Sequence, residues 1–433
     1  VWMASPAQFS RSDVAAHRSF DSCWTIIHNN VYDITSWISK HPGGDLIRQG
    51  AGTECTAIFE SSHPPYVNES YLSKYKIGEL IPEERDQRYN YHGEFWTVLK
   101  KRVWGHFKTN NIDRHDCVEY YLKSLLLFSL FAMFYVMGLY YGTYKLTLVA
   151  AIIGPLCAIC IMHDGQHGAA SKHPFVNHAT GWLIDFFGSS GLVWKHEHNL
   201  GHHQYTNTET DPDATSGAPF VRLSPLAPHE WYHKYQHLYI WVMYSVIMIR
   251  WYFVDYYHYF TGDFNGTKLY PASKVENVLF WLGKLTYITY TFLLPAYLYG
   301  VGWGVIYYLT FAVAASYSFA FQFTVNHLTP DVHWPTNAPD QEKDWAKMQI
   351  LTSSNYAVDS SLAAFFSGGL NFQIEHHLFP TFCHVHYKSR IAPIVQQTCK
   401  EFDVPYNAIP SYWEAISGHY YQLRALGNPK TIS

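Results

Sequence analysis

At 433 residues the chain is too long for one ordinary core, so at least two units are expected. Only 15% of its residues are charged while 18% are aromatic, which excludes intrinsic disorder and a solvated coiled coil, and a formal charge of −4 leaves no electrostatic footprint for nucleic acid. The 26 histidines exceed what packing or pH response requires and point to metal, whereas the 7 scattered cysteines form no disulfide framework and fit a reducing compartment.

The first twenty residues carry Arg11, Asp13, His17 and Arg18 without an apolar stretch, so no cleavable secretory signal is expected and the N-terminus should stay cytosolic. Residues 1–90 have the texture of a small soluble α+β domain, with short apolar runs (Trp24 to Ile27, Val31 to Ile38) broken by Asn29, Asn30 and Pro42-Gly43-Gly44. His41-Pro-Gly-Gly-Asp45 follows Val31-Tyr-Asp-Ile-Thr, and His63 comes after Ala57-Ile-Phe59. Two histidines on facing helices can hold a haem iron from both sides, which leaves no open position for O2 and suits electron transfer. This stretch resembles cytochrome b5, and the resemblance makes His41 and His63 the axial ligands of a haem b.

A charged boundary (Glu83, Glu84, Arg85, Asp86, Arg88) opens a linker over 91–119, in which Gly93 to Asn110 reads as an amphipathic surface helix ahead of the membrane. Beyond it, Ser124 to Tyr141 and Leu146 to Met162 are uncharged runs close to the roughly 20 residues that cross a hydrocarbon core. Cys157 and Cys160 form a CxxC inside the second run and read as structural. Leu285 to Asn326 is uncharged throughout, about twice one membrane thickness, with Gly300, Gly302 and Gly304 near its middle. The expected spans are therefore about 122–141, 146–162, 278–299 and 303–326, two hairpins within a membrane domain 120–433. His178 to Trp194, interrupted by Asp185, and Leu238 to Ile249, ended by Arg250 and Asp255, are shorter and are expected as interfacial or re-entrant helices. The short turns hold a single basic residue, Lys145, so the long connections should face the cytosol.

The histidines cluster at the ends of these hairpins: His163-Asp-Gly-Gln-His167, His198-Asn-Leu-Gly-His202-His203 and Gln373-Ile-Glu-His376-His377. On a helix, positions i and i+4 share a face, so His163 with His167 and His198 with His202 each aim two imidazoles at one point. Seven imidazoles are too many for one zinc and suit two irons, with His327 at the same membrane edge as an eighth ligand. His196 would point elsewhere on the helix, and His229, His233, His237, His258, His384 and His386 read as structural.

The order HDxxH, HxxxHH, QxxHH on a four-span scaffold resembles the membrane-bound fatty-acyl desaturases over about residues 115–400, and Gln373, standing where other desaturases carry histidine, resembles the front-end group among them. Tyr205-Thr-Asn207, Asp211-Pro-Asp213 and Gly369-Leu-Asn-Phe-Gln-Ile-Glu-His-His-Leu-Phe-Pro380 agree. The resemblance implies two iron ions on His163, His167, His198, His202, His203, His327, His376 and His377, with Gln373 and Asp164 as catalytic positions. It also implies O2-dependent insertion of a cis double bond between an existing one and the carboxyl end of a fatty acyl lipid or acyl-CoA, in the endoplasmic reticulum membrane. No GxGxxG opens a βαβ unit, so a separate NADH-cytochrome b5 reductase is expected to supply electrons. A sphingolipid long-chain-base desaturase, a lipid hydroxylase and a membrane-anchored electron carrier are the alternatives, the last opposed by the full set of imidazoles. The expected fold is a small α+β haem domain followed by an all-α membrane domain of four spans plus interfacial helices.

Overall fold

The computed structural model describes residues 6–336 and 341–428. The N-terminal unit is built on a four-stranded sheet of β1 (Gln8–Phe9), β2 (Trp24–Ile27), β3 (Asn30–Asp33) and β4 (Lys76–Leu80), in the order β1-β4-β3-β2. The β2–β3 hairpin closes through His28 (φ 51°) and Asn29 (φ 60°), the pair of left-handed residues that a two-residue turn needs to match strand twist. Ile26 pairs with Val31 and packs with Val14 and Leu80 on one face. On the other face Cys23, Ile27, Tyr32, Ile34, Phe59 and Leu72 form a second apolar cluster, the period of two that a sheet covered on both sides requires. Helix α1 (Thr56–Ser62) contributes Phe59 to that cluster and ends at His63.

Helix α2 (Glu94–Thr109) is the amphipathic helix that the sequence predicts, but not on a membrane surface. Its apolar stripe Phe95, Trp96, Leu99, Val103 and Phe107 is buried in a protein core with Trp345, Phe379, Phe382 and Val395, so its partner is a distant part of the chain rather than lipid.

Four helices among the described residues are long and apolar enough to cross a membrane: α3 (Val118–Tyr140), α4 (Tyr144–Gln166), then α7 (Lys274–Tyr299) and α8 (Val301–His327). Each spans about 35–40 Å at ~1.5 Å per residue, enough for the hydrocarbon core with a margin at each end. The second hairpin turns at Gly300, whose φ of 91° favours a residue without Cβ. Between the hairpins, α5 (Gln236–Tyr244) and α6 (Ile247–Thr261) belong to a helix pair bent by 79°, the broken element expected near Leu238 to Ile249 but carried on to Thr261. The charge of Asp255 does not end α6, because Lys284 on α7 meets it at 2.7 Å in the interior. His178 to Trp194 forms three short helices rather than one, interrupted at Gly188 (φ 102°). Helices α9 (Trp345–Leu351), α10 (Gln373–Leu378), α11 (Ala392–Glu401) and α12 (Tyr412–Leu426) follow the last span.

Candidate metal centres

In the N-terminal domain His41 and His63 face each other with ring centroids 5.9 Å apart. That gap accommodates one metal between two imidazole nitrogens at roughly 2 Å each. The Nδ1 of His63 lies 3.0 Å from the Phe59 carbonyl, which holds the proton on that nitrogen and turns Nε2 inward. Burial, reinforced by His41, pulls His63 down to about 4, so it is neutral and able to ligate at pH 7.

The histidines of the three boxes converge into two adjoining groups. In the first, ligand atoms of His163, His167, His198 and His376 all lie within 4.8 Å of one another. His163 reaches the point from α4 and His167 from the residue just past its end, His198 from the wide-turned helix Lys195–His202 and His376 from α10. In the second, His202, His327 and His377 do the same. His203 stands between them, its Nε2 2.9 Å from that of His376 while its ring stacks on His377 at 4.4 Å.

The outer nitrogens explain why the inner ones converge. His202 Nδ1 faces the Asp211 carboxylate at 3.1 Å, His327 Nδ1 the Thr352 carbonyl at 3.0 Å and His377 Nδ1 the Gln349 Oε1 at 2.9 Å. Each acceptor fixes a proton on Nδ1 and turns Nε2 inward, the usual support of a metal-bound imidazole. The Nε2 atoms of His202 and His377 then lie 3.3 and 3.2 Å from that of His327. Three ring nitrogens converging at that range can close on one cation once any proton between them is displaced. In the first group, the buried Nε2 atoms of His163 and His167 have no hydrogen-bond partner among the described residues. Burial holds His198, His203, His376 and His377 well below the ordinary imidazole range, so all four are neutral. Burial opposes charge on His202 too, but Asp211 and Asp213 outweigh it and push that imidazole up to about 9, making it a strong donor once its proton is displaced. Neutral nitrogens in this number fit a pair of iron ions.

Gln373 sits in the second group, with its amide nitrogen 2.9 Å from His327 Nε2 and 3.3 Å from His377 Nε2. Asp164 does not join either group. Its carboxylate accepts from the backbone N–H and Nδ1 of His384, at 3.1 and 2.9 Å, and so ties the first box to the loop after α10. His196 also points away, to Thr267 at 2.9 Å. His229, His233, His258 and His386 lie against backbone carbonyls, as structural histidines do. Sequence reasoning missed the acceptors Gln349 and Thr352. Asp211 stood in a noted motif, nine residues after His202, but carried no assigned role.

Comparison with known proteins gives two family matches: fatty acid desaturase over residues 142–410 and cytochrome b5-like haem/steroid binding domain over 10–81. The acyl-lipid (8-3)-desaturase of Physcomitrium patens is 38% identical over 97% of this chain and 91% of its own length. Acyl-lipid (8-3)-desaturase B of Dictyostelium discoideum is 33% identical over 97% of this chain and 94% of its own, and the acyl-lipid (8-3)-desaturase of Mortierella alpina 32% over 97% of each.

Proposed function

The chain belongs to the fatty acid desaturase family and carries a cytochrome b5-like haem domain ahead of it, and from that premise we propose that it is a front-end desaturase of polyunsaturated acyl lipids. The observation that carries this reading is the pair of adjoining imidazole groups at the box end of four apolar helices, with Gln373 inside the second group. The names of its relatives, (8-3)- and Delta(5)-desaturases, favour an acyl-lipid substrate and a new double bond on the carboxyl side of an existing one.

An iron pair held there would supply the O2 activation and hydrogen abstraction that an unactivated acyl chain requires, and a haem would supply the electron relay. His163, His167, His198 and His376 would hold one iron, and His202, His327 and His377 the other, with His203 between them and Gln373 as a catalytic neighbour of the second. Asp211, Gln349 and Thr352 orient the imidazoles of that second set. Burial of all eight histidines keeps water from the oxidising site. Asp164 acts as a positioning residue through His384. His41 and His63 would clasp the haem. We divide the chain into a haem domain 1–90, a linker with its helix 91–119 and a membrane domain 120–433. The protein would lie in the endoplasmic reticulum membrane with the haem domain and boxes cytosolic, where a separate NADH-cytochrome b5 reductase reaches the haem.

The test is fatty-acid methyl ester profiling of yeast expressing the chain and fed a panel of polyunsaturated acids, beside His202→Ala. A new acid with an added double bond on the carboxyl side, absent from the His202→Ala strain, is expected. Unchanged acids alongside sphingoid bases that gain a double bond would replace this reading with the sphingolipid one.

A further inference from the structure

The haem domain does not hang on its linker in this structure; it is seated on the histidine boxes. Segment 44–54, which lies between the two axial positions, faces the second box. Gln49 Oε1 accepts from Asn199 Nδ2 at 3.0 Å, and the same Asn199 nitrogen lies 3.3 Å from the Gln166 carbonyl of the first box. Gln204 Nε2 donates to the Glu54 carbonyl at 3.0 Å. These contacts are buried, and Asn199 and Gln204 are sequence neighbours of His198 and His203. Side chains pack tightly onto glycines beside them: a Cβ on Gly168 would stand 2.5 Å from the Leu46 side chain, and one on Gly44 would stand 2.7 Å from the Pro174 ring. At the rim of the same seam Arg48, 1% exposed, donates to Glu276 at the start of α7 at 2.7 Å.

We propose that this seam is a standing electron-transfer junction, in which Gln49 and Asn199 are positioning residues that fix the haem against the iron pair. The proposal rests on the desaturase reading and goes beyond the tether that a fused domain implies. A tether raises local donor concentration to the ~mM range and makes transfer depend on linker length. A seam closed by buried amide pairs and a buried Arg–Glu pair is sensitive to each partner, because replacing one leaves the other an unsatisfied buried polar group or charge. Each transfer turns one ferrous haem ferric and delivers one electron. Two electrons, two protons, O2 and the two substrate hydrogens close as two waters and one C=C bond. In the test below dithionite supplies the electrons, in place of a flavoprotein reductase.

The full-length haem- and iron-loaded protein, reduced anaerobically, is mixed with O2 and a polyunsaturated phospholipid while haem reoxidation is followed by absorbance. Gln49→Leu and Asn199→Leu are expected to slow reoxidation at least tenfold with the haem spectrum and iron content unchanged. A ten-residue Gly/Ser insertion after Gln87 is expected to leave the rate as it is. A rate that falls with the insertion and ignores both amide variants would overturn the proposal in favour of a tether. Hydrogen exchange reads the seam independently: amides in 44–54 are expected to be protected, and Arg48→Met to expose them. Should wild-type haem fail to reoxidise with substrate, the desaturase reading fails, and exchange alone then decides the docking, unprotected 44–54 amides counting against it.

Discussion

At the residue scale, both metal centres depend on which nitrogen of each histidine carries the proton. Asp211 sets it for His202 and lifts that imidazole to about 9, against the pull of burial. Asp211→Ala removes that support and should weaken iron retention about 10–100-fold, as lost outer partners of metal ligands do, measured by chelator competition on the purified protein. An affinity equal to wild type would show that His202 is oriented by something else. Of the eight histidines, His163 and His167 share one group as their i, i+4 spacing implies, whereas His198 and His202 part between the two groups because the segment Lys195–His202 winds more widely than an α-helix. Asp164, beside His163 and so turned by about 100° on a helix, meets His384 rather than either imidazole group. Gln349 and Thr352 gave no signal, because an amide or a backbone carbonyl far along the chain looks like any other residue until the fold brings it in.

At the element scale, uncharged runs marked the four helices long and apolar enough to cross a membrane, although the third of them begins at Lys274, well before its run at Leu285. What the runs could not give was α6, whose Asp255 reads as a stop until Lys284, 29 residues on, neutralises it at 2.7 Å. Lys284→Met leaves that carboxylate buried and unpaired and should cost about 3–5 kcal/mol. The double variant Lys284→Met/Asp255→Leu should recover most of the loss, as buried pairs replaced together do. Thermal unfolding in detergent checks both, and a double variant as unstable as the single one would assign the pair a different role. The partner of α2 was equally hidden, because an apolar stripe fits lipid and protein alike.

At the scale of the whole molecule, domain order was legible from motifs, whereas the seat of one domain on the other was not, since Arg48 and Glu276 lie 228 residues apart. A second clamp joins α1 to α2, where Glu60 meets Lys100 at 2.7 Å and His28 at 2.9 Å. Burial would raise Glu60, but the His28 hydrogen bond and Lys100 outweigh it and hold it down to about 2, against an ordinary 4.5. The stability that this carboxylate contributes is therefore complete above about 4.5 and is lost as pH falls through about 2. Haem-domain melting should drop across that window in wild type and much less in Glu60→Gln; equal slopes would mean that other carboxylates dominate. Haem and iron together give the molecule its count of metals, and iron per chain tests the account most directly. Three irons are expected in the wild-type protein, one extractable with haem, with His202→Ala and His377→Ala losing non-haem iron while the haem spectrum is kept. A single iron per chain, all of it in haem, would contradict the assignment of the two histidine groups as metal centres.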